Sequence, residues 1–311
     1  MKKFKVFVDG AAGTTGLQIR DRLRQRDDIE LINIQEEKRK DNTERLRLIA
    51  AADVSFLCLP DAAAREIAAL APADCRLLDT STAHRTNPDW VYGMPELQPG
   101  QRQRIRSATR VAVPGCHASG FIFAVKPLVA GGLIDPGQPL CATSVTGYSG
   151  GGKKMIAAHR ADDRPDWLQS CGQYALGQTH KHLPEMMAMT GLVTAPAFLP
   201  IVGDYYGGMV VTVPLHRQWL RRSLTVSGLR DLYRDYYDGE AMVTVRDDCP
   251  EDGFLHSSIK AGSNDLEIFV YGCDERPVVS TRFDNLGKGA GGAAVQNMNL
   301  MLGIEETRGL K

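Results

Sequence analysis

The chain opens with a short apolar run, Phe4 to Val8, and turns at Asp9-Gly10-Ala11-Ala12-Gly13-Thr14-Thr15-Gly16 into a polar, helix-prone stretch, Thr14 to Arg26. This strand, glycine turn and helix constrain the fold more than any other feature. The same rhythm runs through the first 120 residues or so. Ile29 to Ile34, Val54 to Leu59, Arg76 to Leu78 and Arg110 to Val113 read as strands, and the alanine-rich Ala62 to Leu70 reads as a helix. Strands alternating with helices predict a parallel sheet covered on both faces.

From about Leu140 the pattern changes. Cys141 to Val145, Met209 to Leu215, Met242 to Arg246, Leu266 to Tyr271 and Val278 to Phe283 read as strands with long connections, and Leu229 to Tyr237 is the one helix with clear periodicity. That spacing predicts a mainly antiparallel sheet. Lys288 to Leu302 returns to a helical pattern. The expected fold is α/β: a Rossmann-type parallel-sheet nucleotide domain, residues 1–116 plus 285–311, and an α+β catalytic domain with a mainly antiparallel sheet, residues 117–284. A length of 311 residues accommodates two domains.

Equal numbers of cationic and anionic residues give no electrostatic reason to expect nucleic acid or a membrane surface as partner. No apolar run approaches the roughly 18 residues of a membrane span. Met1 to Val6 leads straight into a strand pattern, so no signal peptide is expected. Seven cysteines, scattered without CxxC spacing, suggest a reduced, cytoplasmic chain without disulfides or a zinc site.

The glycines at 10, 13 and 16 fall at GxxGxxG spacing. The turn needs a positive φ, and a pyrophosphate can lie close only where side chains are absent. Its oxygens would sit on the free N–H groups of the helix start, around Thr14 and Thr15. The competing reading is a tight turn without a ligand. Glu36, about 20 residues beyond the glycines, suits a ribose 2′-hydroxyl, whereas Lys38, Arg39 and Lys40 suit a 2′-phosphate. Three adjacent cations tip the balance toward NADPH/NADP⁺, although such a run can also be a solvated surface.

Pro114-Gly115-Cys116-His117-Ala118-Ser119-Gly120 puts a thiol between a strand and a helix-like run, Phe121 to Val125. A helix N-terminus favours the thiolate, so Cys116 is the candidate nucleophile, and the other six cysteines read as structural. His180-Lys181-His182-Leu183-Pro184-Glu185 is the second cluster. Pro184 fits a first helical position and Gly191 the end of that helix. His182 then faces a helix start that biases it toward the neutral form, and an extended approach would point His180 and His182 the same way. Glu185 follows in the first turn. A metal centre is disfavoured, because nothing else completes a ligand set.

Thr146-Gly147-Tyr148-Ser149-Gly150-Gly151-Gly152-Lys153-Lys154 ends a strand in a glycine-rich turn. Gly147 and Gly150 are candidates for close approach to the cofactor, and Ser149 and Lys153 for substrate binding; a flexible loop is the alternative. Asp79 to Arg85 lies at the carboxyl edge of a parallel strand, where open α/β sheets bind ligands. There Ser81 is a cofactor candidate, and Arg85 is either an anchor for a carboxylate or phosphate or a surface salt bridge. A thiol, a nicotinamide site and a base together imply reduction of an activated acyl group through a thioester. A thiol hydrolase and a non-catalytic NADP-binding regulator are weaker readings.

The GxxGxxG turn, Pro-Gly-Cys, Gly-Tyr-Ser-Gly-Gly-Gly-Lys, His-Lys-His-Leu-Pro-Glu and Asp284-Asn285-Leu286-Gly287-Lys288-Gly289 together resemble the short form of the N-acetyl-γ-glutamyl-phosphate reductases of arginine biosynthesis. The motifs span nearly the whole chain. The resemblance implies NADPH-dependent reduction of a small acyl phosphate, N-acetyl-γ-glutamyl phosphate, to the semialdehyde. It implies Cys116 as nucleophile, His180 or His182 as acid/base with His182 preferred, and Asn285 and Lys288 near the nicotinamide. It also implies a tail helix packed on the nucleotide domain, a fold shared with aspartate-semialdehyde dehydrogenase, and a homodimer or homotetramer. An aspartate-semialdehyde dehydrogenase-like reductase of another acyl phosphate is the nearest alternative. One departure stands out: His117-Ala118-Ser119 occupies the place where the long-form enzymes carry Tyr-Pro-Thr.

Overall fold

The computed structural model describes residues 3–248 and 251–310. Met1, Lys2, Cys249, Pro250 and Lys311 lie outside them, and with them the reading of the extreme N-terminus and of Cys249. The chain divides into two compact units, Met1–Gly115 with Ala290–Lys311, and Cys116–Gly289. Cys116 and the segment Asn285 to Gly289 thus belong to the second unit.

The first unit opens with β1 (Phe4–Asp9), α1 (Thr14–Arg24), β2 (Ile29–Ile32), α2 (Asn42–Ala51), β3 (Val54–Leu57), α3 (Asp61–Leu70), β4 (Leu77–Asp79), β5 (Val91–Tyr92), α4 (Gln101–Ser107) and β6 (Arg110–Ala112). Its strands form one parallel sheet in the order β2-β1-β3-β4-β6-β5. Val6, Phe7, Val54, Phe56, Leu77 and Leu78 are fully buried in it, as continuous apolar strands of a two-sided parallel sheet must be. The chain leaves β1 toward β2 on one side and returns to β3 on the other, so the topology switches at β1. The sequence pattern did not reveal α2. Its start is fixed instead by the Asp41 carboxylate, which accepts the N–H groups of Thr43 and Glu44 at 2.9 and 3.4 Å.

The second unit contains α5 (Cys116–Ala130), β7 (Cys141–Gly147), α6 (Gly152–Arg160), β8 (Gly172–Gln173), α7 (Leu183–Thr190), β9 (Ala197–Gly203), β10 (Met209–Pro214), α8 (Val226–Tyr236), β11 (Val243–Arg246), β12 (Leu266–Cys273) and β13 (Arg276–Phe283). The sheet runs β11-β12-β13-β10-β7-β9-β8. Four of its pairings are antiparallel, as expected, and two, β11 with β12 and β7 with β9, are parallel. A wide turn at Gly287–Gly291 leads to α9 (Gly292–Leu302), which lies in the first unit and is buried along its length. Asn297 and Asn299 of α9 bond Gly93 O at 2.8 Å and Arg26 Nη1 at 2.7 Å.

The second unit holds more helix than the sequence pattern indicated. α5, legible in the sequence only as the helix-like run Phe121 to Val125, extends from Cys116 to Ala130, and because it is buried nearly all round it shows no amphipathic stripe. It lies against β10 and β13 so closely that a Cβ at Gly120 would stand 2.4 Å from Val211 Cγ2. Pro127 inside α5 has no N–H to offer the Phe123 carbonyl. The Tyr237 hydroxyl donates to that oxygen at 3.0 Å, and the Tyr233 hydroxyl of α8 donates to Ala124 O. Tyr237→Phe is therefore expected to leave a buried carbonyl unmet and to cost about 1–3 kcal/mol in urea unfolding. An unchanged midpoint would mean that the Phe123 carbonyl has found another donor.

Candidate active site

In the first unit, the carboxyl ends of β1, β2 and β3 border a cavity of about 330 Å³ floored by Gly10 to Gly13. It lies at the switch in sheet topology, where such folds take ligands. Gly10 has φ +78°, and a Cβ there would fall 2.2 Å from Cys58 O; at Gly16 it would fall 2.6 Å from Gly10 O. The chain's own packing therefore demands these two glycines. Gly13 is different, since its nearest neighbour to a Cβ would be 3.4 Å away, so the space a side chain would fill remains open to a ligand. No side chain caps α1, and Thr14 Oγ1 is shielded from solvent without a hydrogen-bond partner among the described residues. Uncapped first-turn N–H groups of Thr14, Thr15 and Gly16, with that hydroxyl beside them, fit a pyrophosphate.

The cleft is more cationic than the run Lys38 to Lys40 suggested. Arg20, Arg39, Lys40 and Arg45 line it, together with Asp9 and Glu36; Lys38 is not part of the lining. Arg39 pairs with Glu36, and Arg45 lies 3.4 Å from Asp9. Arg20 and Arg45 gave no sequence signal, since neither belongs to a motif. Ser81 and Arg85 follow β4. The Ser81 hydroxyl donates to Asp79 at 2.8 Å and accepts from the Ala83 N–H at 3.1 Å. The same Asp79 carboxylate takes His84 Nδ1 at 2.6 Å, with His84 stacked on Trp90. Arg85 is buried and donates to Val113 O at 3.0 Å and Thr80 O at 3.1 Å. Part of its hydrogen-bonding capacity thus braces the main chain just before Pro114.

In the second unit, Cys116 is the first residue of α5, at the positive end of the helix dipole. Cys58, by contrast, is half-buried just past β3, with its thiol pushed up to about 12, chiefly by desolvation. His117 is buried beside Cys116. Its Nδ1 meets Ser144 Oγ at 2.7 Å and its Nε2 meets Tyr174 Oη at 2.6 Å. Desolvation, followed by the charges of His180 and Lys181, depresses His117 to about 3, so it stays neutral and offers one donor and one acceptor. Burial, reinforced by the Cys116 charge, raises the Tyr174 phenol. The His117 ring meets His180 edge-on at 5.3 Å, and Phe198 presents its edge to both. Ser144, Tyr174 and Phe198 escaped the sequence reading because they come from separate strands and loops.

His180 and His182 converge with ring centroids 4.7 Å apart, though not through an extended segment. The chain turns, with Leu183 N–H donating to His180 O at 3.0 Å, and Leu183 rather than Pro184 begins α7. The His182 N–H donates to His180 Nδ1 at 3.1 Å. That nitrogen is thereby an acceptor, and the proton of a neutral His180 sits on Nε2. His182 Nε2 lies 3.9 Å from Glu185 Oε1, with both side chains buried.

The glycine-rich turn after β7 is tied to the Asp284–Gly289 segment. Asn285 Nδ2 donates to Ser149 Oγ at 3.0 Å, and its Oδ1 accepts the Gly208 N–H at 2.9 Å. A Cβ at Gly150 would lie 3.4 Å from Asn285 Nδ2, whereas one at Gly147 would clash at 2.6 Å with the Tyr205 and Tyr206 main chain. Lys288 is buried with its ammonium 5.8 Å from the Phe123 ring centroid. Lys153 is exposed on α6.

Residues 5–106 match a family model described as "Semialdehyde dehydrogenase, NAD binding domain", and residues 116–285 match "Semialdehyde dehydrogenase, dimerisation domain". The two units therefore define an oxidoreductase of the semialdehyde dehydrogenase class, with a site for a nicotinamide cofactor. The "N-acetyl-gamma-glutamyl-phosphate reductase 2" of Nostoc sp. is 44% identical over a 322-residue alignment that covers all of both chains. Proteins named "N-acetyl-gamma-glutamyl-phosphate reductase" from Brucella ovis and Rhizobium meliloti are 42% and 43% identical, covering 97% and 96% of this chain and 99% of each relative. This chain belongs to the N-acetyl-γ-glutamyl-phosphate reductase family. The fold is that of aspartate semialdehyde dehydrogenase II from Vibrio cholerae (TM-score 0.70, 16% identity, 97% of this chain and 99% of the other). It also matches the Candida albicans aspartate semialdehyde dehydrogenase solved with NADP (TM-score 0.66, 14% identity, 97% and 99%). Among the described residues no helix is long and apolar enough to cross a membrane.

Asp9 at the mouth of the cleft has its carboxyl raised to about 6 by burial, against the opposing pull of Arg45 and the Gly10 N–H. A raised acid holds its proton more tightly folded than unfolded. Its contribution to stability is complete below the unfolded value of 3.8 and is lost as pH rises through about 6. The change amounts to at most about 3 kcal/mol. Asp9→Asn is expected to flatten the dependence of the unfolding free energy on pH between about 4 and 6; parallel curves for variant and wild type would contradict the assignment.

Proposed function

We propose that this chain reduces N-acetyl-γ-glutamyl phosphate to N-acetylglutamate semialdehyde with release of phosphate, through a thioester on Cys116 and with NADPH as reductant. The observation that carries the reading is a thiol at the first residue of α5 in a chain 42–44% identical, over nearly its whole length, to relatives bearing this reductase name. The buried His182–Glu185 pair supplies the proton chemistry that the reaction needs.

His182 Nε2 takes the proton of the Cys116 thiol, and Glu185 stabilises the imidazolium that results. The sulfur attacks the acyl carbon, the bond from carbon to the phosphate oxygen breaks, and His182 returns the proton to the departing phosphate. First-turn N–H groups of α5 hold the oxyanion of the tetrahedral stage. NADPH, when bound, supplies the hydride that reduces the thioester carbonyl. The thiohemiacetal oxyanion left on Cys116 then re-forms its carbonyl and breaks the carbon–sulfur bond, leaving the aldehyde and a thiolate that regains a proton from solvent. His180 keeps Nδ1 on the His182 N–H and so positions the base. Ser149 and Lys153 stay candidates for substrate contact. The cysteines among the described residues, all free of disulfides, and the match to a dimerisation domain support a cytoplasmic homodimer or homotetramer.

The reverse reaction tests the substrate. NADP⁺ reduction should require phosphate and N-acetylglutamate semialdehyde, with aspartate semialdehyde a poor substitute; preference for the aspartyl compound would keep the chemistry and overturn the substrate. Cys116→Ser is expected to abolish turnover while leaving NADPH affinity within about twofold, since the thiol nucleophile is lost and the glycine cradle is untouched. His182→Asn should lower kcat/KM by about 10²–10⁴. His180→Asn, whose amide oxygen can replace Nδ1 as acceptor, should lose about tenfold or less. Reversed magnitudes would exchange the roles of the two histidines.

A further inference from the structure

The cofactor cleft of the first unit carries four cationic side chains, Arg20, Arg39, Lys40 and Arg45, against two acids, Asp9 and Glu36. Two of those cations are already matched: Arg39 pairs with Glu36, and Arg45 lies beside Asp9. The surplus of two positive charges therefore resides on Arg20 and Lys40. A phosphate monoester carries close to two negative charges near neutral pH. Arg20 reaches the cleft from the second turn of α1, with Nη2 held 3.5 Å from Asn33 Oδ1 just past the end of β2. Its Nε is shielded from solvent and has no hydrogen-bond partner among the described residues. A shielded guanidinium donor without an acceptor is costly, and a tetrahedral anion in the cleft would meet it. The planar fork of an arginine suits phosphate oxygens, and an adjacent lysine adds a mobile point charge.

We propose that Arg20 and Lys40, rather than Lys38 and Arg39, read the 2′-phosphate that distinguishes NADPH from NADH. The proposal rests on the NADPH reading given above. Arg39 serves mainly to neutralise Glu36, which would otherwise repel the phosphate from the ribose end of the cleft. Lys38, outside the lining, contributes only long-range attraction that salt screens.

The test is binding, measured by calorimetry on the full chain with ADP-ribose 2′-phosphate and with ADP-ribose. The wild type should prefer the phosphorylated ligand by about a hundredfold or more, as two charge-assisted contacts require. Arg20→Ala and Lys40→Ala should each weaken the phosphorylated ligand by about tenfold or more and leave ADP-ribose within about twofold. Arg20→Lys, which keeps the charge without the fork, should recover part of the loss and guards against a folding defect in the alanine variant. Arg39→Ala and Lys38→Ala should each change the preference by less than about threefold. Glu36→Gln should strengthen the phosphorylated ligand.

If Arg39→Ala or Lys38→Ala destroys the preference while Arg20→Ala and Lys40→Ala keep it, the proposal fails and the NADPH reading stands. Equal weakening of both ligands by Arg20→Ala, at an unchanged unfolding midpoint, also refutes it, because Arg20 would then shape the cleft without reading the phosphate. A wild type that binds both ligands equally overturns the NADPH reading itself before any variant is compared.

Discussion

The second unit is organised around the burial of α5. A helix sunk on nearly every side into a sheet and its neighbouring helices must have its polar groups met inside the fold. Two tyrosines associated with α8 meet the carbonyls of Phe123 and Ala124, one of which Pro127 deprives of its helical partner. Thr281 of β13 donates to the carbonyl of Gly120 at 3.2 Å, at the point where the helix lies closest to the sheet. These contacts fix the axis of α5, and the axis fixes its first residue, which is Cys116. The Cys116 sulfur is thus carried by a helix whose carbonyls are tied to the elements around it, as a site that depends on precise placement requires.

His117 carries that bracing outward. It follows Cys116 on the same helix and reaches β7 through Ser144, the segment after β8 through Tyr174, and the ring of His180 by edge contact. Because burial keeps it neutral, the histidine next to Cys116 acts as a hydrogen-bonding strut, with no charge of its own to disturb the sulfur. His182 has the opposite setting, with a carboxylate close by. The contrast gives chemically identical rings different work within one cluster.

The first unit shows how far a motif can be trusted. Gly10 and Gly16 are required by the chain's own turn and packing, whereas Gly13 leaves space beyond what the chain fills. The basic run at residues 38–40 was legible, but its function is divided: Arg39 turns to Glu36, Lys40 borders the cleft, and Lys38 does not. Arg20 and Arg45 come from two separate helices. No linear pattern joins them, because the helix faces that aim them inward exist only once α1 and α2 are packed on the sheet.

The sequence by itself determined the alternating architecture of the first unit, the glycine turn after its first strand, the thiol at a helix start and the His-Lys-His-Leu-Pro-Glu cluster. Each is written locally, in hydrophobic periodicity, glycine placement or capping chemistry, so neighbouring residues suffice to specify it. Tertiary structure decided what local rules cannot express. It decided that a helix without an amphipathic stripe is the core of the second unit, that two strand pairs in a mostly antiparallel sheet run parallel, and that Ser149 is held by Asn285. It also decided which histidine faces a carboxylate and which accepts a main-chain N–H. Burial and long-range hydrogen bonding depend on residues far apart in the chain, and they acquire a position relative to one another only through the fold.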